Sequence, residues 1–340
     1  MKDFLQSIAD DINEIFSHEI ETSQTYGVPG RSDRELTFGR NQIKKGKIIN
    51  TCVLFIDIRN STLISKKLKN NKAQLGKIYS AFVDAMATIA DRYGYVRNII
   101  GDRVMVVFEP SNCFVDAVNC AVTMHTVAVR ILKKYSGLED FKCGIGIEYG
   151  EMLILKTGIQ KRNEEQSEYK NLVWIGDAAN TASKLTDFAY KEYNSPTYNV
   201  TYEYLHSEKV LKGYKSLSSN PLLDSFLGIS PNLEPEYEWK FEKRTATISI
   251  SSEEFIKKIK THPEWKYGDK KLLAIEKNEQ TGTTSPILMS GKVYIEFKKL
   301  EPKSTLLPNF TQRKYPDAPY TGTGIYGGYA YCADITHIKI

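Results

Sequence analysis

Five residues, Val53-Leu-Phe-Ile-Asp57, run apolar and then stop on a carboxylate. A short continuous apolar run of this kind reads as a strand covered on both faces, so the rest of the chain must supply material above and below it. Asp57 then stands where the strand leaves the core. Ser61 and Thr62 open a helical pattern, and either is an expected N-cap. A strand-end carboxylate beside a helix N-terminus is well placed to hold a divalent cation and a phosphate. An aspartate that merely closes a local turn would leave the same trace.

A second carboxylate narrows the choice. Tyr95 to Phe108 is two strand-like runs separated by Gly101-Asp102, a two-residue link that signals a β-hairpin. Asp102 lies at its tip, and pairing of the hairpin with the first strand would bring Asp102 to Asp57. Two carboxylates together with substrate phosphates are a common way to hold Mg²⁺ or Mn²⁺. A third motif, Trp174-Ile-Gly-Asp177-Ala-Ala-Asn180-Thr-Ala-Ser-Lys184, is a strand end followed by a helix. Asn180 and Lys184 are four residues apart and share a helical face. An amide and a cation so placed could steady a ribose and the charge that develops on a phosphate; a solvated face is the plainer alternative.

The three motifs together, in this order and spacing, resemble the class III nucleotidyl cyclases over roughly Ile48 to Leu205. The resemblance implies an α+β fold, a ferredoxin-like core with helices on an antiparallel sheet. It also implies a homodimer with active sites at the subunit interface and a nucleoside triphosphate as substrate. Two Mg²⁺ or Mn²⁺ ions would be held by Asp57, the carbonyl of Ile58 and Asp102. The backbone of Asn60, Ser61 and Thr62 would face the triphosphate, and Asn180 and Lys184 would serve the partner's site. The family usually carries arginine where Lys184 stands, a planar fork in place of a point charge.

The base-reading positions depart further. Adenylate cyclases of the family read adenine with a lysine and an aspartate where this chain has Asn98 and Val173, and the guanine-type acid is also missing at Asn98. Asn98 can both donate and accept, which suits a cytosine or uracil edge. Its neighbour Arg97 would point to the opposite face of the strand. Missing purine readers and the form Asp57-Ile-Arg-Asn-Ser-Thr62 are similar to the pyrimidine cyclases of Pycsar anti-phage systems. That likeness implies a second-messenger synthase in antiviral defence, acting with a downstream cyclic-nucleotide-responsive effector. Cyclic CMP is favoured over cyclic UMP by analogy alone. The alternatives are an adenylate cyclase with atypical base contacts and a non-catalytic nucleotide-binding dimerisation module. A diguanylate cyclase would require a Gly-Gly-Asp/Glu-Glu-Phe hairpin, which Ile100-Gly-Asp-Arg-Val does not provide.

Four segments are expected: an N-terminal amphipathic helix and arm (1–47), the catalytic domain (48–210), a linker (211–236) and a mostly β C-terminal sensor domain (237–340). Within them, Asp3–Ile20, Gln74–Tyr93, Phe114–Tyr135 and Ser252–Lys260 have helical spacing. Lys142–Leu155 reads as a strand pair turning at Gly150-Glu151, Thr157–Lys170 as a surface insertion, Thr197–Tyr202 as the last core strand, and Lys292–Phe297 and Tyr329–Ile340 as strands. His125 reads as a core histidine. Gly322-Thr-Gly-Ile-Tyr-Gly-Gly328 fits a dinucleotide fingerprint in letters only, since a β-like run follows it. The net charge of +5 over 340 residues includes no basic block of the kind that nucleic acid requires. Five cysteines without metal-site spacing suit a reducing cytoplasm. No secretory signal and no apolar run near membrane-spanning length is evident.

Overall fold

The chain is described from a computed structural model covering residues 1–37, 43–158, 170–217, 233–257, 271–313, 315, 318–319 and 321–328. It divides into two units, one of Met1–Glu192 with Thr283–Ile340 and the other of Tyr193–Gly282. In the first unit the opening motif is the end of a long strand, β2 (Lys44–Ile58), which follows α1 (Lys2–Ser17) and β1 (Ile20–Gln24). The 15-residue strand lies at the middle of the sheet, so its alternate side chains divide between two cores. Cys52, Leu54, Ile56 and Ile58 join one, and Ile49 and Val53 the other.

Helix α2 (Ser61–Lys67), α3 (Lys72–Tyr93), the hairpin β3 (Tyr95–Ile100) and β4 (Arg103–Val107), and α4 (Cys113–Ser136) follow. Then come β5 (Cys143–Gly158), β6 (Lys170–Ile175) and α5 (Asp177–Phe188). Helices α3 and α4 lie over the first core through Phe82, Met86, Ala117, Ala121 and Met124, with His125 buried among them. Helix α4 is long and apolar enough to cross a membrane, but half of that length is buried in this core. The second core lies under α5 (Ala178, Ala179, Ala182) and under the arm after β1, which brings in Val28 and Leu36. Lys47 clamps this arm by pairing with Asp33 at 2.8 Å and with Glu35, and Lys156 donates to the Asp33 carbonyl at 2.7 Å. The arm ahead of β2 is thus part of the fold.

Four strands of the core, β2 to β5, pair antiparallel in the order β5-β2-β4-β3, with β6 beside β5. The chain then leaves for the second unit and returns. On return, β10 (Ile287–Ser290) runs parallel to β5, and β11 (Phe310–Arg313) and β12 (Ile325–Gly328) extend the same sheet. Between β10 and β11 a helix, α7 (Gly291–Leu300), covers the first core with Val293 and Phe297. The second unit holds β7 (Glu192–Ser216), β8 (Leu233–Ser251), α6 (Ser252–Phe255) and β9 (Lys271–Thr283). Its strands are ordered β8-β7-β9 around Val200, Tyr202 and Ile250.

Several expectations are corrected here. Lys142–Leu155 is no hairpin: β5 runs unbroken and pairs with β2 from Ile58↔Cys143 to Lys47↔Ile154, straight through Gly150-Glu151. Gly150 is there because α5 comes close, with Ala178 Cβ 3.3 Å from where a side chain would begin. Lys292–Phe297 is helical, because Val293 and Phe297 share one buried face while Glu296 pairs outward with Lys292 at 3.2 Å and Lys299 at 2.8 Å. Thr197–Tyr202 belongs to β7 of the second unit, β10, β11 and β12 extend the sheet that holds β2, and Ser216 and Leu233, both inside the expected linker, are paired in a ribbon. Gly94 ends α3 in an extended conformation, packed where a Cβ would meet Phe108. The stripe of α1 is exposed, Phe4 and Phe16 included. The run Tyr329–Ile340, most of the Thr157–Lys170 insertion and the last three residues of Ser252–Lys260 lie outside the described residues.

Candidate active site

The hairpin signal at Gly101-Asp102 is realised, with Gly101 at φ +62°, a conformation that glycine adopts without strain. Because Ile56 pairs with Val104, the tip reaches the end of β2 and brings Asp102 to Asp57. The Ile58 amide donates to Asp102 Oδ2 at 3.2 Å. Burial, and then the neighbouring Asp57 carboxylate, push the Asp102 carboxyl up to about 6. Two hard oxygen donors that burden each other in this way are a donor set suited to a divalent cation. Among the described residues no third acidic, cysteine or histidine side chain completes a metal cluster, so Asp57, Asp102 and the Ile58 carbonyl remain the ligands to consider.

After Asp57 the chain must turn from strand to helix within two residues. Asn60 does this in the left-handed region, at φ 57°, which asparagine tolerates better than most residues. Asn60 is therefore the N-cap, with its carbonyl accepting from Leu63 at 2.8 Å and Ile64 at 3.1 Å. Ser61 and Thr62, expected as caps, are the first two residues of the helix itself.

Asn180 and Lys184 lie on α5, exposed on one face as the spacing predicts. Lys184 lines a cleft of about 790 Å³ with Glu148, Glu151, Asp177 and Thr321. Neither side chain is hydrogen-bonded or ion-paired to Asp57 or Asp102 among the described residues. The next turn of the same helix behaves differently. Arg103, first residue of β4, donates to Asp57 Oδ2 at 2.7 Å and to Ser183 Oγ at 3.0 Å, and also pairs with Asp187. Arg59 adds an Nη1 bond to the Asp187 carbonyl at 3.1 Å and lies 3.5 Å from Asp57 Oδ2. Sequence reasoning missed Arg103, Ser183 and Asp187. The one available signal was a cation directly following a motif carboxylate.

The base-reading positions are only partly brought together. A register shift between Val96 and Asn98 makes Arg97 the extra residue of a bulge. Its guanidinium covers the Tyr95 ring at 4.6 Å and donates to the Val28 carbonyl at 3.3 Å. Asn98 shares a cavity of about 340 Å³ with Arg31 and Leu172. Val173 lies one residue from Leu172, opposite Leu155, and is not part of that lining. Arg31 was invisible as a candidate because the arm that carries it looked unstructured.

What sets α5 against β5 is a row of glycines on one face of the strand, Gly144, Gly146 and Gly150, facing the alanines of the helix. At Gly146 a Cβ would overlap the Ala182 carbonyl and the Thr186 amide, both backbone atoms that cannot swing aside. Gly146→Ala is expected to destabilise the first unit by about 3 kcal/mol, the upper range of overpacking, which a denaturant midpoint would read. An unchanged midpoint would mean that α5 has room to lift.

Comparison with known proteins gives one family model, the adenylate and guanylate cyclase catalytic domain, matching residues 43–210. A uridylate cyclase of Gulbenkiania mobilis is 30% identical over 203 residues, covering 56% of this chain and 74% of that protein. A uridylate cyclase of Burkholderia cepacia is 31% identical over 196 residues, 54% of this chain and 80% of that one. A cytidylate cyclase of Staphylococcus aureus is 34% identical over 125 residues, 33% of this chain and 29% of that one.

Proposed function

Because the chain belongs to the class III nucleotidyl cyclases, the family of the adenylate and guanylate cyclase catalytic domain, we propose that it converts a pyrimidine nucleoside triphosphate, CTP or UTP, to the 3′,5′-cyclic mononucleotide and pyrophosphate. The observation that carries the reading is the convergence of Asp57 and Asp102 at the mouth of the sheet, with asparagine and valine where purine readers would stand.

In this reading Asp57, Asp102 and the Ile58 carbonyl hold Mg²⁺ or Mn²⁺. Two such ions, when bound, would lower the pKa of the ribose 3′ hydroxyl and neutralise the triphosphate. The backbone of Asn60, Ser61 and Thr62, which follows Ile58 directly after Arg59, would face the phosphates. Asn180 orients the ribose and Lys184 stabilises charge on the reacting phosphate. Within one chain Lys184 lines a cleft that includes neither Asp57 nor Asp102, and a homodimer that presents α5 to the partner's Asp57 would complete each site. Asn98 reads the base edge, with Val173 leaving room where an acidic reader would otherwise project. The setting proposed is cytoplasmic antiviral defence, with a cyclic-nucleotide-responsive effector downstream.

The Pycsar resemblance favours CTP by analogy, whereas the relatives matched over most of their length are named uridylate cyclases. The deciding assay supplies Mn²⁺ with ATP, GTP, CTP or UTP separately, with Asp57→Ala as control, and identifies products by mass spectrometry. A cyclic pyrimidine nucleotide that vanishes in the control supports the proposal. Cyclic AMP would overturn the reading of Asn98 and keep the reaction, and no product from any triphosphate would return the chain to the non-catalytic alternative. Asn98→Ala is expected to lower kcat/KM for the pyrimidine substrate roughly tenfold, the loss of one hydrogen-bonded base edge, and to narrow the preference over ATP. An unchanged preference would remove Asn98 from base recognition.

A further inference from the structure

We propose that Arg103 is a positioning residue that ties the Asp57 carboxylate to the helix carrying Asn180 and Lys184, so that the metal half of one active site is coupled to the ribose half of the other. This rests on the cyclase reading above and goes beyond it, since it assigns a task to a side chain to which that reading gives none.

The geometry is specific. One guanidinium reaches three groups on two elements: Asp57 Oδ2 at the end of β2, and Ser183 Oγ and the Asp187 carboxylate on α5. Its side chain is about one quarter exposed and that of Asp57 less, so the contact is shielded more than an ordinary surface pair. The backbone of Arg103 is fixed by its pairing with Ile100 across the hairpin that holds Asp102. Ser183 and Asp187 lie one residue before and three after Lys184 on the helix. A planar fork with several donors can hold such a set at once, which a lysine cannot. In a dimer where Asn180 and Lys184 serve the partner, a shift of α5 reaches the chain's own Asp57 through Arg103. With Arg103 and Arg59 both facing Oδ2, a divalent cation binding at Asp57 finds positive charge already beside that oxygen.

Two effects follow with opposite signs. Removing Arg103 takes away a competing cation, which favours metal binding, and also frees α5, which slows turnover. The test uses the full-length protein. Mn²⁺ alone is titrated and followed by electron paramagnetic resonance, and kcat and KM are measured for the nucleotide that the substrate assay identifies. Arg103→Met is expected to bind Mn²⁺ several-fold more tightly while kcat falls about tenfold at similar KM. Arg103→Lys keeps the charge and loses the fork, so Mn²⁺ affinity should stay near wild type while kcat still falls. Asp187→Asn should lower kcat as well, and combining it with Arg103→Lys should add little. If Arg103→Met does not fold, the lysine and asparagine variants carry the test. Wild-type kcat in both of those, or weaker Mn²⁺ binding in the methionine variant, overturns the proposal. A cyclase reading that fails on its own shows separately, as activity that survives Asp57→Ala.

Discussion

Proteins carrying Asp57→Ala and Lys184→Ala, each inactive alone, are expected to regain activity when co-expressed and purified through two different tags. Within one chain Lys184 is bonded to neither motif carboxylate among the described residues. Asp57 and Asp102 meet at the hairpin tip, whereas Lys184 lines a cleft with Glu151 and Asp177 that includes neither of them. If each site borrows α5 from a partner, the mixed dimer has one site with both lesions and one with neither. Lys184→Ala alone should cost roughly 10²- to 10³-fold in kcat, the usual loss for one preorganised group that stabilises developing charge. Asp57→Ala should cost at least as much by removing a metal ligand. A purified mixed dimer should then show about half of wild-type activity, since one of two symmetric sites is intact. Recovery far above either parent supports shared sites. Activity no higher than the parents would place Lys184 outside the reaction or the site within one chain. Lys184→Arg is a useful companion, because arginine should keep turnover if charge is what the position supplies.

How much of this was legible beforehand differs by element. The strand into Asp57, the Gly-Asp hairpin and the Asn180 helix were readable because each depends on local chemistry: an apolar run, a two-residue turn, a 3.6-residue period. Both carboxylates and the face shared by Asn180 and Lys184 followed. What stayed hidden depended on contacts distant in sequence. Lys292–Phe297 alternates well enough to pass for a strand, and only its packing of Val293 and Phe297 against α4 makes it a helix. The continuity of β5 through Gly150-Glu151 was masked by glycines that look like a turn and are in fact the seat of α5. Arg31 and Arg103 acquire meaning only from their neighbours, Asn98 for one and Asp57 with Asp187 for the other. Within the discounted Gly322–Gly328 motif, Gly322 and Gly324 adopt φ of +72° and +81°, and its last four residues are β12 itself.

The division of the chain yields the last expected result, a contrast between two deletions. Ending the protein at Leu211 looks natural from the sequence, since composition changes there. In the fold it removes β10, α7, β11 and β12, and with them Ile287, Met289, Val293, Phe297 and Phe310, all buried in the first core. At roughly 2 to 5 kcal/mol for each large apolar side chain lost from a core, the five come to roughly 10 to 25 kcal/mol, enough to offset the roughly 5 to 15 kcal/mol by which such units are stable. The truncated chain is expected to aggregate or to melt without cooperativity. Excising Tyr193–Gly282 and joining Glu192 to Thr283 by a three-residue glycine-rich link is expected to do neither. The two ends are already stapled: the Thr284 amide donates to the Lys191 carbonyl at 2.9 Å, the Lys191 amide to Thr284 Oγ1 at 2.8 Å, and that hydroxyl to the Phe188 carbonyl at 2.5 Å. The link therefore bridges two residues already held side by side, and the entropy of closing so short a loop is small. The excised protein should melt cooperatively within several degrees of the full chain, because the core residues of the first unit are all retained. If it aggregates as the truncation does, the first unit depends on Tyr193–Gly282 and the boundary drawn here is wrong. If it folds and makes product at an altered rate, regulation belongs to the ribbon unit and not to the C-terminal strands, which are then catalytic scaffold.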